Sequence, residues 1–400
     1  MAGNATQEIV IAKCLTDILD RGVHAATFPG GVVACLHGTA CTVVARGRLV
    51  CPDSCNPAAA PVPEAAMATT DTVYDLASLS KIIATLPLVL LALQSGRLEL
   101  DDKAMHFLPE LATGAGSNWN EAVTVRRLLA HTSGLPAWRP YFVRLKGKAA
   151  YLSAIADEAL SYRPGSAVEY SDLGFMLLGF IVERIWDEDL PALADRLVFS
   201  PLGMDHTGYC PATVSRFTGT DIAPTELGNN FERGMALAYS EGRPVVGGHG
   251  ASFSLTARDV DGFAWRTGLI QGAVHDSNCY YGLGGASGHA GVFSTVPDLV
   301  RYLDFWKPAG PLSPELRAEA FRRQTPEGSI ARGLGWILDG GTATHTGFTG
   351  TSLRYDPATA YATIALTNRV HPRVADGIGP WRMELAAALA AAGATGLSGH

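Results

Sequence analysis

A serine and a lysine stand three residues apart, Ser78 and Lys81, in the run Tyr-Asp-Leu-Ala-Ser-Leu-Ser-Lys that begins at Tyr74. On a helix this spacing puts both side chains on one face. A serine hydroxyl needs a proton acceptor before it attacks a carbonyl, and an amine held beside it in a dry site can take or relay that proton. Burial suits the amine to this task by lowering a lysine pKa. The competing reading is an N-capping serine followed by a lysine whose stem lies along apolar surface. Residues 82–93 weigh against it: nearly all are apolar, and a helix that is apolar all round lies inside a protein.

Composition narrows the class of protein. The chain has 400 residues, 47% hydrophobic and 17% charged, which suits a compact globular protein of two or three domains, or one large core with an inserted subdomain. A formal charge of -7 and scattered Lys and Arg leave no basic footprint for nucleic acid. The N-terminus lacks a basic segment followed by a long apolar core, so a cytoplasmic location is expected. Residues 82–93 are too short to span a bilayer and include Pro87, so no membrane partner is expected. The cysteines (Cys14, Cys35, Cys41, Cys51, Cys55, Cys210 and Cys279) are odd in number and widely spread, which suits reduced thiols better than a disulfide framework. Cys51 and Cys55 have no matching His or Cys pair nearby, and the histidines show no metal-ligand spacing, so neither metal nor cofactor is expected.

The elements that must position Ser78 and Lys81 follow from periodicity. Residues 7–21, with Ile9, Ile11, Leu15, Ile18 and Leu19, predict an amphipathic helix. Residues 30–36 and 40–46 are β-branched runs separated by His37-Gly38-Thr39, a predicted hairpin. Residues 52–70 read as a surface loop. A short helix over 123–130 stops at His131-Thr132-Ser133-Gly134-Leu135-Pro136, and helices follow over 149–160 and 173–186. Between the last two, the turn-rich residues 162–172 carry Tyr170 to a helix start. Residues 203–266 read as loop-like, 284–293 as glycine-dense, and 298–306 as helix. Runs at 335–338, 352–355 and 361–366 predict strands, followed by a last helix ending over 383–392. Strands at both ends with helices between them imply an α+β fold, a mainly antiparallel sheet flanked by helices with an inserted, mostly helical region. The expected division is a sheet domain from residues 1–75 and 290–400 and a helical region over 76–289, with the Ser78 helix at the interface.

These residues resemble the serine β-lactamase, DD-peptidase and esterase superfamily, in its class C branch, which includes the family VIII carboxylesterases. Ser78-Leu79-Ser80-Lys81 resembles the first motif, Tyr170-Ser171-Asp172 the second (Y-x-N or Y-S-D), and His345-Thr346-Gly347 the third (K-T-G or H-x-G). Three supporting runs also look like the family: the one from His131 to Pro136, Pro201-Leu202-Gly203-Met204, and Gly288-His289-Ala290-Gly291. The likeness runs from about residue 25 to residue 370. It implies a β-lactamase/transpeptidase-like fold in which Ser78 Oγ is the acyl-accepting nucleophile and Lys81 shares its hydrogen bond. Tyr170 would act as general base and then acid, its anion stabilised by the lysine ammonium. The backbone N–H groups of Ser78 and Phe348 would form an oxyanion hole, each donor worth about 3 kcal/mol. Asp172, His345, Thr346, Gly347, His275 and His289 would contact substrate.

Two departures from the family pattern shape the expected chemistry. Asp172 stands where many relatives have Asn, and a carboxylate near Lys81 favours a charged lysine, which makes Tyr170 the better base. His345 replaces the lysine of K-T-G and so removes a permanent cation that helps β-lactamases and peptidases hold a substrate carboxylate. Esters need no such anchor. His275-Asp276 and His289 could suggest a Ser-His-Asp triad, but no G-x-S-x-G elbow is present to support an α/β-hydrolase. The expectation is a serine hydrolase that forms an acyl-enzyme at Ser78 and acts on small-molecule carboxylic esters. The alternatives are an amidase or D-aminopeptidase, a weak class C-type β-lactamase or an acyltransferase on the same scaffold, and, from a different class, a non-catalytic binding protein. Residues 235–264 look longer than the matching segment of relatives and are expected to border the substrate pocket.

Overall fold

The run Gly-Gly-Val-Val-Ala-Cys-Leu-His forms strand β1 (Gly30–His37), and its alternate residues face two different cores. In this computed structural model the chain is described from residue 2 to residue 394, except residues 39, 52–65, 113, 115–121, 211–216, 218–220 and 244–252, with side chains from residue 6. Val32 and Ala34 join the large central core, whereas Val33 and Cys35 pack with Ile11, Leu15, Ile18 and Leu19 of the N-terminal helix Ala2–His24. Trp381, Leu385 and Leu389 of the C-terminal helix Ile378–Ala391 complete that second core. A strand covered on both faces has no polar side, so it reads in sequence as an unbroken apolar run.

The other strands are β2 (Ala40–Gly47), β3 (Tyr74–Asp75), β4 (Gly208–Tyr209), β5 (Val292–Ser294), β6 (Ile337–Asp339), β7 (Thr342–Thr346), β8 (Ser352–Tyr355) and β9 (Ala362–Thr367). The main sheet has the order β2-β1-β9-β8-β7-β6, antiparallel throughout, with Val33 opposite Val44 and Ala34 opposite Ile364. The fold is therefore an antiparallel sheet with flanking helices, and its two chain ends meet where β1 pairs with β9. A second, small sheet of order β3-β5-β4 was not foreseen, because strands of two or three residues are too short for a period of two to show. It bears on the site, since β3 runs directly into Ser78.

The Ser78 segment is not the single regular helix expected. A 3-10 turn over Ala77–Leu79 leads into a π turn over Lys81–Thr85 and then an α-helix over Leu86–Gln94. Pro87 accounts for the wide turn: it has no N–H to donate, and its ring crowds the carbonyl four residues earlier. Leu79, Ile82, Ile83, Leu86, Leu88 and Leu90 are fully buried. Of the 18-residue run Ala77–Gln94, 78% is buried inside the fold, as befits a core helix.

The loop-like reading of residues 203–266 needs correction. Helices Asn230–Ser240 and Ala257–Asp261 lie within it, the second started by a capping box between Thr256 and Asp259. The first buries Glu232 and Ala236, a spacing of four, but with so few large apolar residues that the pattern is hard to see in sequence. Residues 211–216, 218–220 and 244–252 of this stretch lie outside the described residues, as do 52–65 of the predicted surface loop.

Candidate active site

Ser78 follows a residue in an unusual conformation. Ala77 has φ of 46°, in the left-handed region, where a residue with a side chain carries strain of order 1–3 kcal/mol. Neighbouring segments hold it there. Asp75 Oδ1 accepts from the Ala77 N–H at 2.8 Å and Asp75 Oδ2 from the His275 N–H at 2.7 Å. The carbonyls of Asp75 and Leu76 accept from the Thr349 and Thr351 hydroxyls at 2.6 and 2.9 Å. On the other side, the Val292 N–H donates to Ser80 Oγ at 3.1 Å. The turn bearing the nucleophile is thus fixed from both sheets.

Lys81 is wholly buried, and its Nζ makes three close contacts: Ser78 Oγ at 3.0 Å, the His289 carbonyl at 3.0 Å and Asp172 Oδ1 at 2.7 Å. The Tyr170 ring centroid is 4.9 Å from the same nitrogen, and the phenol interacts with both Lys81 and Ser78. Ser171 caps the helix Asp172–Trp186, its Oγ accepting from the Gly174 N–H at 3.2 Å, and this cap sets the positions of its neighbours Tyr170 and Asp172. His131 steadies the same loop by accepting the Ser171 N–H at Nδ1, 3.0 Å away, with its ring 4.6 Å from that of Tyr170. His131, at the stop of the helix expected over residues 123–130, thus holds the loop that carries Tyr170.

The charge state differs from the sequence argument in one respect. Burial alone would lower the Lys81 pKa, but Asp172 and Tyr170 outweigh it and hold the pKa above the ordinary lysine value. For Tyr170 the balance goes the other way. Burial raises the phenol pKa more than Lys81 lowers it, with Asp172 adding to the rise, so the expected acidification is overturned. At neutral pH both groups are protonated. His345 is neutral, because burial and the nearby charges of Lys81 and Arg332 keep its pKa well below 6.5.

The third motif lies at the end of β7. An added Cβ on Gly347 would meet Thr351 Oγ1 at 2.1 Å and the Leu76 carbonyl at 2.4 Å, so only glycine lets this strand end approach the Ser78 turn. Among the described residues neither the Ser78 nor the Phe348 backbone N–H has an intramolecular acceptor. Both residues line a cavity of about 210 Å³, together with Tyr170, Asp172, Trp138, Phe231, Glu232, Met235, His275 and Asp276. Of the expected substrate contacts, Asp172 and His275 border this cavity, whereas His345, Thr346, Gly347 and His289 do not. His345 is buried with Nδ1 3.0 Å from the Thr346 carbonyl, and His289 pairs through Nε2 with Asp276 Oδ1 at 3.0 Å. Of the described residues within 235–264, Met235 reaches the cavity, and residues 244–252 of that segment lie outside the described residues.

Sequence reasoning missed several residues here. Phe231 and Glu232 come from the unrecognised helix, whose signal was the spacing of Phe231 and Met235 by four. Trp138 follows the Gly-Leu-Pro turn, and only its aromatic character could have marked it. Arg332 is buried, with Nε and Nη1 unpartnered and Cζ 5.6 Å from the Tyr170 ring centroid. No sequence motif pointed to it. Among the described residues no cluster of three or more His, Cys, Asp or Glu could hold a metal.

Comparison with known proteins agrees with this arrangement. The sequence model of the Beta-lactamase family matches residues 15–388. The chain belongs to the Beta-lactamase family. A Salmonella agona (strain SL483) protein, named as D-alanyl-D-alanine carboxypeptidase-like, is 30% identical to this β-lactamase-family chain over 338 residues, covering 78% of the chain and 72% of the relative. Among solved structures, EstCE1, described as a hydrolase with promiscuous acyltransferase activity, superposes with a TM-score of 0.68 at 21% identity, over 96% of this chain and 99% of that one. A class C beta-lactamase gives 0.65 at 17% identity, over 98% and 97%. At these identities the two structures show a shared fold.

Proposed function

We propose that this member of the β-lactamase-fold serine hydrolase superfamily forms an acyl-enzyme at Ser78 and hydrolyses carboxylic esters. The contact that carries the reading is Lys81 Nζ at 3.0 Å from Ser78 Oγ, in a cavity that Ser78 lines. Ser78 Oγ attacks the ester carbonyl carbon, and its proton passes to the Lys81 and Tyr170 pair. The developing oxyanion is met by the Ser78 and Phe348 N–H groups. Collapse breaks the bond to the leaving alcohol, whose oxygen takes the proton back. Water then repeats the sequence on the acyl-enzyme and releases the acid. Because Lys81 and Tyr170 are both protonated at neutral pH, the acylating form has lost one proton from this cluster, and turnover rises with pH.

His345 stands where K-T-G relatives carry a lysine, and it is neutral and set back from the cavity, so it supplies no fixed cation for the carboxylate of peptides and β-lactams; esters need no such anchor, and the reading favours them. The test is a set of steady-state rates on p-nitrophenyl butanoate, a cephalosporin and an acyl-D-Ala-D-Ala peptide. The ester is expected to give the highest kcat/KM, by roughly a hundredfold, with all turnover lost in Ser78→Ala. A faster peptide or cephalosporin would replace esterase by carboxypeptidase or β-lactamase.

A further inference from the structure

The carbonyl of Gly347 and the N–H of Phe348 belong to one peptide unit, so a charge that holds the carbonyl also acts on the N–H. Arg382, on the C-terminal helix Ile378–Ala391, donates through Nη2 to the Gly347 carbonyl at 3.0 Å and to the Thr351 carbonyl at 2.7 Å. In a trans peptide the carbonyl and the N–H point in opposite directions, so Arg382 stands behind the N–H of Phe348. A second arginine holds the next peptide. Arg369 donates through Nε to the Phe348 carbonyl at 2.7 Å and through Nη1 to the Ala375 carbonyl at 2.9 Å, with Cζ 4.5 Å from the Phe348 ring centroid.

This placement of charge is costly. Arg382 Nε is buried without a partner, and burial together with the charge of Arg369 presses the Arg382 pKa down to about 10, so the group is still a cation at neutral pH. Among the described residues no carboxylate pairs with it. Glu384, on the same helix, is taken by Arg21 at 2.7 Å, and Asp376 acts on Arg369. A cation kept without a counter-ion behind the Phe348 N–H suits a place where negative charge appears only during reaction.

We propose that Arg382 is a positioning residue for the oxyanion step: its bond to the Gly347 carbonyl polarises the Gly347–Phe348 peptide and makes the Phe348 N–H a stronger donor than an ordinary amide. This rests on the reading of the Ser78 and Phe348 N–H groups as the oxyanion donors. Hydrogen bonds in a chain strengthen one another, and an ionised donor strengthens them further. The chain here runs from guanidinium to Gly347 carbonyl, then from Phe348 N–H to oxyanion. A substrate carbonyl in the ground state carries little charge, so the effect falls on kcat rather than KM. Arg382 also supports the turn in which the Gly347 N–H donates to the Thr351 carbonyl at 2.7 Å, and the experiment has to separate the two roles.

The separation comes from comparing an oxyanion with a neutral ligand. Ser78 Oγ adds to 1,1,1-trifluoro-2-pentanone: the Oγ–carbon bond forms, the carbonyl π pair moves onto oxygen as an alkoxide, and the serine proton passes to the Lys81 and Tyr170 cluster. Butanamide presents a similar chain with an uncharged carbonyl. Arg382→Gln keeps a hydrogen-bond donor and removes the charge. It is expected to lower kcat for p-nitrophenyl butanoate and affinity for the ketone each by roughly tenfold, with KM and butanamide affinity little changed. Arg382→Lys restores a cation and is expected to stay within about threefold of the unsubstituted protein in both. Equal losses for ketone and butanamide would make Arg382 a support of the turn alone, and unchanged kcat and ketone affinity in a folded Arg382→Gln would remove it from the step; either overturns the proposal. If Arg382→Gln does not fold, the lysine variant decides, because a loss of roughly tenfold in ketone affinity with the charge retained also overturns it. A ketone that binds the unsubstituted protein no more tightly than butanamide would contradict the oxyanion reading itself, and the proposal with it.

Discussion

Lys81 Nζ lies 2.7 Å from Asp172 Oδ1 with the lysine side chain fully buried, so the amine beside the nucleophile is held as an ammonium. Removing that carboxylate leaves burial as the main influence, and the Lys81 pKa falls. In Asp172→Asn the alkaline rise of kcat/KM should therefore shift to lower pH by roughly one to three units. A pH–rate profile from neutral to alkaline pH checks this. An unmoved profile would mean that Lys81 does not set the active protonation state.

Tyr170 contributes a proton-transfer group rather than a binding surface. Tyr170→Phe keeps the ring against His131 and removes the hydroxyl, so kcat should fall by roughly 10²–10⁴-fold with little change in melting temperature. Retention of full kcat would leave Lys81 as the whole proton relay.

Gly347 permits a close approach that any side chain would block. The atoms that a Cβ would strike are Thr351 Oγ1 and the Leu76 carbonyl, both part of the scaffold under Ser78. Gly347→Ala is expected to lower stability by about 1–3 kcal/mol and kcat by roughly a hundredfold, through displacement of the Ser78 turn from the Phe348 N–H. Denaturant unfolding and steady-state kinetics measured together check both effects.

Much of this framework is legible in the residues themselves. The unbroken apolar runs of β1 and of residues 82–93 follow from being covered on all sides, and the three short motifs name Ser78, Tyr170 and His345. Other features depend on relationships that a linear reading does not contain. The left-handed Ala77 is imposed by bonds from Asp75, which is fixed in turn by His275, 200 positions away. The direction of the Tyr170 shift depends on whether burial or Lys81 prevails, and depth of burial is a property of the fold. Glu232 was hidden because its helix carries few large apolar residues, and its partner Ser277 lies 45 residues away.

Next in sequence to the cavity-lining Trp138, Arg139 forms an ion pair of 3.2 Å with Glu158 in which both side chains are almost wholly enclosed, and the Tyr141 hydroxyl donates to the same carboxylate oxygen at 2.8 Å. Glu158→Ala removes the carboxylate partner of a buried guanidinium and should cost about 3–5 kcal/mol. Denaturant unfolding gives the value, and a loss below about 1 kcal/mol would show that the pair is readily replaced by water.

The central claim is that Ser78 becomes acylated, and intact mass spectrometry after rapid mixing with p-nitrophenyl butanoate tests it most directly. The predicted result is a mass increase of one butanoyl group that appears within a turnover, decays by hydrolysis, and is absent in Ser78→Ala. An adduct that persists in Ser78→Ala, or ester turnover undiminished by that substitution, would contradict the account.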